Sequence, residues 1–315
     1  MKLITFQPLY QTRVWGGREL ANTFSRELPD EQPYGESWEL SDRPDEQSLV
    51  SAGPFKGLSL NELWREQRAE IFGPAYLPDE RERFPLLIKI LDARDDLSIQ
   101  VHPPAELAPR LGGEPKTEMW FVAQADPGAK LYVGLRKGVT EADFKAALAA
   151  GEVAGLVHAI EPRPGESIFI PSGRLHAIGG GFLIFEIQEN SDTTYRVFDW
   201  NRLGLDGRAR ELHIEQSLAS IDFQDFEPGM DEPQDSLLAS CPLFEVARAE
   251  AAGGSEITAP DPERFCIINL ISGRLRSASG SELKAGDCAL WPAQGESLTA
   301  LTASEFLLTT LPLRD

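Results

Sequence analysis

Residues 165–176 read GESIFIPSGRLH. The run Ser167-Ile168-Phe169-Ile170 has the composition of a strand, and Pro171 stops its ladder because proline has no backbone donor. Gly173 supplies a turn, and His176 follows at the mouth of whatever the strand enters. A single histidine after a strand is more often a packing residue than a ligand. The glycine and proline framing weakens that bland reading, and a partner site upstream weakens it further.

Upstream, Phe84–Leu91 reads FPLLIKIL, a continuous apolar run expected to be a buried strand. Its one lysine, Lys89, is costly there unless it is paired or faces a polar cavity. The alternative is an edge strand that points Lys89 to water. Next comes LSIQVHPP, in which Gln100 and His102 are two apart and share one face of a strand ended by Pro103 and Pro104. KTEMWFVAQA, residues 116–125, starts a further strand at Glu118, and AKLYVGL, residues 129–135, another. Downstream, Phe182–Ile187 is a strand from which Glu186, Gln188 and Asn190 alternate onto one face, with Arg196, Asp199 and Arg202 following.

Helices punctuate this β pattern. Ser59 caps a segment with Leu60, Leu63, Trp64, Ile71 and Phe72 on one face, ended by Gly73 and Pro74. Thr140 with Asp143 forms a capping box for an insertion near 138–158 that breaks at Gly151. Residues 210–223 are helical after the first few. His158 reads as structural and His213 as a surface or capping residue. The N-terminal residues carry VWGG (14–17) and GESWELS (35–41) as turn-plus-strand units, with Trp15 and Trp38 as packing aromatics.

The acidic, turn-rich stretch 226–236, FEPGMDEPQDS, is the best linker, so the chain is expected to divide into residues 1–232 and 233–315. The second part shows several short strands and reads as a small β domain. It repeats the glycine-to-proline spacing at Gly286 and Pro292 but contains no histidine, which points to a packing or lid role.

The chain has 315 residues, 42% hydrophobic and 25% charged, ample for a real core. A net charge of −20 without a lysine or arginine run excludes a nucleic-acid partner, and an anionic substrate would need a local basic pocket. Three cysteines, Cys241, Cys266 and Cys288, without CxxC spacing fit a reducing compartment. The N-terminus lacks the apolar region of a signal peptide and no run is long enough to span a bilayer, so the expected location is cytoplasmic, without a membrane partner.

Gln100, His102, Glu118 and His176 form the candidate metal set. Two imidazoles, one carboxylate and an amide oxygen suit a borderline divalent ion, zinc first. A single carboxylate leaves such a centre net positive, a good Lewis acid. Because the ligands come from three segments, only a barrel or sandwich unites them. Glu186 would enter the same cavity, and Arg196 would stabilise developing negative charge.

The framing of His176 resembles the second signature of the cupin superfamily, small antiparallel barrels that hold a metal between strand segments. VWGG, GESWELS, FPLLIKILDARDDLSIQVHP, KTEMW, PSGRLHAIGGG and ENSDTTYRVFDWNR together resemble the type I phosphomannose isomerases (mannose-6-phosphate isomerases) of the short bacterial class. The resemblance spans most of residues 5–225. It implies a mainly β fold: a cupin or jelly-roll barrel with a small helical insertion and a degenerate, cupin-like C-terminal β domain. It implies one zinc ion on Gln100, His102, Glu118 and His176, and interconversion of mannose 6-phosphate and fructose 6-phosphate through a cis-enediol. Glu186 matches the family's proton-transfer base and Arg196 its essential arginine, and Lys89 and Lys116 match lysines lining the pocket. We assign Arg196, Glu186 and Lys116 as catalytic and Lys89, Ser98 and Arg13 as substrate-binding; Lys89 and Lys116 are expected to hold the phosphate or the enediolate, with Arg13 and Arg110 lesser candidates for the phosphate. Longer members carry a histidine where this chain has Pro115, so a ring-opening role for that histidine must fall to another group or to water. The expected assembly is a monomer or weak homo-oligomer acting on a phosphorylated hexose. The rival readings are a non-catalytic sugar-binding cupin and another metal cupin enzyme, such as an iron oxygenase.

Overall fold

The computed structural model describes residues 1–313. The N-terminal strands are β1 (Ile4–Thr5), β2 (Leu9–Gly17), β3 (Tyr34–Leu40), β4 (Asp42–Arg43) and β5 (Glu46–Gln47). The central strands are β6 (Leu86–Ala93), β7 (Ile99–Val101), β8 (Glu118–Ala125), β9 (Leu131–Leu135), β10 (Val157–Ile160), β11 (Ser167–Ile170), β12 (His176–Ile178), β13 (Phe182–Glu189) and β14 (Tyr195–Phe198). The C-terminal strands are β15 (Leu237–Ser240), β16 (Glu245–Ala251), β17 (Glu256–Ile257), β18 (Cys266–Ser272), β19 (Arg274–Ser277), β20 (Glu282–Lys284), β21 (Cys288–Trp291), β22 (Leu298–Ala300) and β23 (Ser304–Thr310). Four short α-helices join them: α1 (Glu19–Asn22), α2 (Leu60–Glu66), α3 (Glu141–Ala150) and α4 (Ile214–Ser220).

Four sheets stack. A five-stranded sheet, β10-β9-β12-β7-β14, packs on a six-stranded one, β11-β8-β13-β6-β2-β3. The far face of the latter packs on β1-β21-β18-β23-β16-β15, which in turn covers β17-β22-β19-β20. A sheet covered on both faces needs apolar residues at every position, which is why FPLLIKIL reads as a continuous run. Along β13 the two sides separate cleanly. Leu183, Phe185 and Ile187 face the C-terminal sheet, while Phe182 and Ile184 face the five-stranded one. Glu186 therefore projects between the first two sheets, as do Glu118 beside Trp120 and Lys89 beside Leu91.

The same strand order occurs twice. β11-β8-β13-β6 is matched by β21-β18-β23-β16, and β10-β9-β12-β7 by β20-β19-β22-β17. Both copies carry a left-handed glycine two residues before a four-residue strand that ends at proline, with φ +90° at Gly165 and +87° at Gly286. The turn after each proline closes on its carbonyl, by Arg174 N–H at 3.1 Å and Gly295 N–H at 2.9 Å. The C-terminal copy is thus a jelly roll that lacks the histidines.

Helical punctuation follows the caps. Ser59 and Glu62 close a reciprocal capping box on α2, and the chain continues as a π-helical turn, Arg68–Phe72, up to Gly73. Thr140 and Asp143 do the same for α3, which Gly151 ends in the left-handed region. After Gly151 the chain makes only a short 3-10 turn, Val153–Leu156. The acidic stretch near 226–236 is not a free tether: Glu227 N–H bonds Leu135 O and Asp231 N–H bonds Ser167 O, both at 2.9 Å. β1 crosses back to pair with β21 in the C-terminal sheet, so both ends of the chain share one layer.

Candidate active site

Between the first two sheets, register alone assembles a polar cluster. β7 and β12 place Gln100 directly opposite His176, and β14 places Arg196 on the other side of Gln100. From the facing sheet, β8 supplies Glu118 and β13 sets Glu186 between Lys89 and Trp120. Lys89 lies on a central strand at 4% exposure, so it is a cavity lysine and the edge-strand alternative falls away.

One ligand atom from each of His102, Glu118 and His176 lies within 4.8 Å of the others, all three residues being buried. His102 Nδ1–H donates to Thr193 O at 2.8 Å and His176 Nδ1–H to Arg174 O at 2.9 Å. Each bond fixes the tautomer that turns the Nε2 lone pair inward. His102 Nε2 and Glu118 Oε1 then have no hydrogen-bond partner among the described residues, while His176 Nε2 stands 3.5 Å from Glu118 Oε1. Buried acceptors without donors are costly. Two neutral imidazoles and a carboxylate converging in this way fit a divalent cation. Gln100 stands at their edge, its Nε2 3.3 Å from His176 Nε2, and rotation about its last bond brings the amide oxygen to the same side.

Burial pushes His102 down to about 3, helped by the Lys116 charge, and lowers His176. Burial alone would raise Glu118, but Lys116, 2.8 Å away, and the two histidines hold it well below the usual carboxylate range. Burial works against the charge on Lys116, yet Glu118 and Glu186 more than offset it and raise its pKa. Glu186 is raised by burial, reinforced by the nearby Glu118 charge, despite Lys116 at 3.9 Å and Lys89 at 3.2 Å. Trp120 Nε1–H donates to its Oε2 at 3.0 Å and fixes its orientation.

Beside this cluster lies a cavity of about 260 Å³, whose walls include Gln100, Arg13, Ser98, Lys89, Lys116, Glu186 and Arg196. A larger cleft of about 510 Å³ runs along Gly16, Asp92 and Gly181, away from these residues. Its buried Asp92 is already occupied by the Glu19 and Leu20 N–H groups. Arg110 sits exposed on a 3-10 turn and does not line the 260 Å³ cavity. Gln188 and Asn190 also stay out of it. Gln188 donates to Glu189 O and Ser191 O, and Asn190 to Asp42 O and Phe84 O, so both brace the end of β13.

Several lining residues escaped the reading of the sequence. Glu36 accepts from Arg13 Nε and Trp38 Nε1 at 2.7 and 2.6 Å and lies 3.6 Å from Lys89. Burial alone would raise Glu36, but Lys89 and then Arg13 bring it down to about 2. The alternation of Glu36 with Trp38 in GESWELS was the available signal. Trp15 lines the cavity as well as packing in the core, and Asp192, Thr194 and Arg210 complete the wall.

The chain is similar to known proteins over nearly its whole length. A family profile described as the catalytic domain of phosphomannose isomerase type I matches residues 3–126. The chain is 35% identical to the mannose-6-phosphate isomerase ManA of Bacillus subtilis over 299 residues, 91% of this chain and 92% of that protein. It is 36% identical to a mannose-6-phosphate isomerase of Streptococcus mutans, covering 89% of each. The crystal structure of the mannose 6-phosphate isomerase from Bacillus subtilis superposes with a TM-score of 0.87 at 31% identity, over 99% of this chain and 100% of that one. With this fold, and with that likeness running through nearly the whole length, the chain belongs to the type I mannose-6-phosphate isomerase family.

Proposed function

We propose that the chain is a zinc-dependent aldose–ketose isomerase that interconverts mannose 6-phosphate and fructose 6-phosphate through a cis-enediol. The observation that carries this reading is the buried His102, Glu118 and His176 cluster beside a cavity lined by Gln100, a raised carboxyl, Glu186, and two buried lysines. His102, Glu118 and His176, with Gln100, would hold one zinc ion per chain, which supplies Lewis acidity towards the sugar oxygens.

The isomerisation moves a proton between adjacent carbons. Glu186 acts as the base: its elevated pKa makes it a stronger acceptor than an exposed carboxylate, and the Trp120 indole holds the oxygen pair in place. Lys116 stays protonated beside Glu186 and donates to the enediolate oxygens. Arg196 adds positive charge from the neighbouring strand. Ser98, Lys89 and Arg13 bind the sugar chain along the cavity wall. Buried beneath the sheets, the intermediate is shielded from water, which limits loss of the transferred proton.

The test is a coupled assay with mannose 6-phosphate, before and after a chelator, with metal analysis of the purified protein. Turnover is expected to vanish with the chelator and return with zinc, at one equivalent of metal per chain. Turnover that is insensitive to the chelator overturns the reading. Oxygen consumption instead of isomerisation favours the oxygenase alternative.

A further inference from the structure

The two ends of the cavity carry positive charge in different states. At the deep end, Lys89 and Lys116 have side chains 5% exposed, and both are committed to carboxylates: Lys89 to Glu186 and Glu36, Lys116 to Glu118. At the open end stand Arg13 and Arg210, with side chains 28% and 23% exposed. Arg13 is committed to Glu36. Arg210 bonds Asp199 through Nε at 2.7 Å and through Nη2, while its Nη1 has no hydrogen-bond partner among the described residues. Asp199, a buried carboxylate, is shared with Arg202 at 3.0 Å, and Arg202 Nη1 also lies 3.5 Å from the exposed Asp95 carboxylate.

Arg196 borders the same space. Its Nη1 is held by Glu211 O at 2.8 Å, and its Nε is buried without a partner. Burial, followed by the charge of Arg210, lowers its pKa, and the opposing Asp199 charge does not offset them. The chain shapes this corner at some cost. Trp200 and Asn201 both adopt left-handed backbone, with φ of 55° and 56°, and Trp200 Nε1–H is anchored to Leu97 O at 2.7 Å. The chain then returns against β14, where His213 N–H meets Arg196 O at 2.8 Å, and Arg210 is carried over the cavity mouth. The Asp192 carboxylate also lines the cavity and disfavours an anion on its own side.

We propose that Arg210, positioned by Asp199, determines specificity by binding the 6-phosphate of the substrate through its free guanidinium edge, next to Arg196. This rests on the isomerase reading above. A dianionic phosphate takes bidentate bonds from a preorganised guanidinium, and the deep lysines are left to the sugar oxygens.

The experiment compares wild type with Arg210→Gln and Arg210→Lys, using mannose 6-phosphate as substrate and inorganic phosphate as competing ligand. In Arg210→Gln, KM for mannose 6-phosphate and Ki for phosphate are expected to rise together by about 10- to 100-fold, with a smaller change in kcat. Arg210→Lys keeps the charge but loses the fork, and should raise both by about 3- to 10-fold. Thermal melts confirm folding. If Arg210→Gln does not fold, Arg210→Lys alone decides. Unmoved KM and Ki in the folded variants, or a loss confined to kcat, overturns the proposal. A wild type without chelator-sensitive turnover strikes the isomerase reading instead.

Discussion

Glu118 and Glu186 lie on neighbouring strands of one buried wall, and their surroundings drive them in opposite directions. Burial tends to protonate both. For Glu118, the lysine at 2.8 Å and two histidines reverse the tendency, and for Glu186 they do not. A ligand to a cation must be ionised, whereas a base gains strength from a raised pKa, so under the proposed function the pair would divide into those roles. Glu186→Gln is therefore expected to keep one metal per chain while exchange of the substrate C2 hydrogen with solvent falls by about 100-fold or more. Exchange at the wild-type rate in a metal-loaded variant removes Glu186 from the role of base. At this scale the sequence was informative where strand alternation is strict: Gln100, Glu118 and Glu186 stand two residues from, or opposite, other inward residues. It was silent on Arg210, whose place depends on a left-handed turn at Trp200 and Asn201 that leaves no pattern in the residues themselves.

Among the elements, the strand between a left-handed glycine and a proline occurs once with chemistry and once without. His176 opens β12 after the first, whereas β22 after the second opens at Leu298 and has no histidine. The two glycines face different surroundings. A methyl at Gly165 would meet only the flexible Arg248 guanidinium, at 3.4 Å. At Gly286 it would overlap the ring of Phe24 and lie 2.7 Å from its Cβ, inside a packed core. Gly165→Ala is thus expected to cost about 1–2 kcal/mol, from backbone conformation alone. Gly286→Ala should cost about 2–5 kcal/mol, because overpacking adds to the same term. Urea unfolding of both variants measures this, and equal losses would show that backbone strain alone governs the two sites. The glycine-to-proline echo was visible in the sequence because turn chemistry is local. The matching order of eight strands was not, since it depends on which distant strands pair.

At the scale of the molecule, composition located an acidic break near residue 232 but could not reveal that a single core runs across it. Ile88, Phe121 and Phe185 from the central sheet pack in one cluster with Phe244, Ile267 and Leu307 from the C-terminal sheet. β1, from the start of the chain, pairs with β21 near its end, a contact for which the sequence carries no local signal. Arg26 adds a polar tie. Its side chain is 6% exposed, bonds Glu39 at 2.7 and 3.0 Å and Ser37 at 2.7 Å, and reaches Gly286 O. Removing one partner of a buried ion pair leaves the other uncompensated, so Arg26→Ala should cost about 3–5 kcal/mol. Because the tie and the core both cross the break, the loss should appear in both parts together. The cysteines all lie after residue 232, with Cys266 and Cys288 buried, while five of the six tryptophans lie before it. Thiol labelling therefore reports one part and tryptophan fluorescence mainly the other. In urea, the two probes are expected to share a midpoint in the wild type and to shift together in Arg26→Ala. Labelling of the buried thiols well below the fluorescence midpoint would instead mean that the C-terminal jelly roll unfolds on its own.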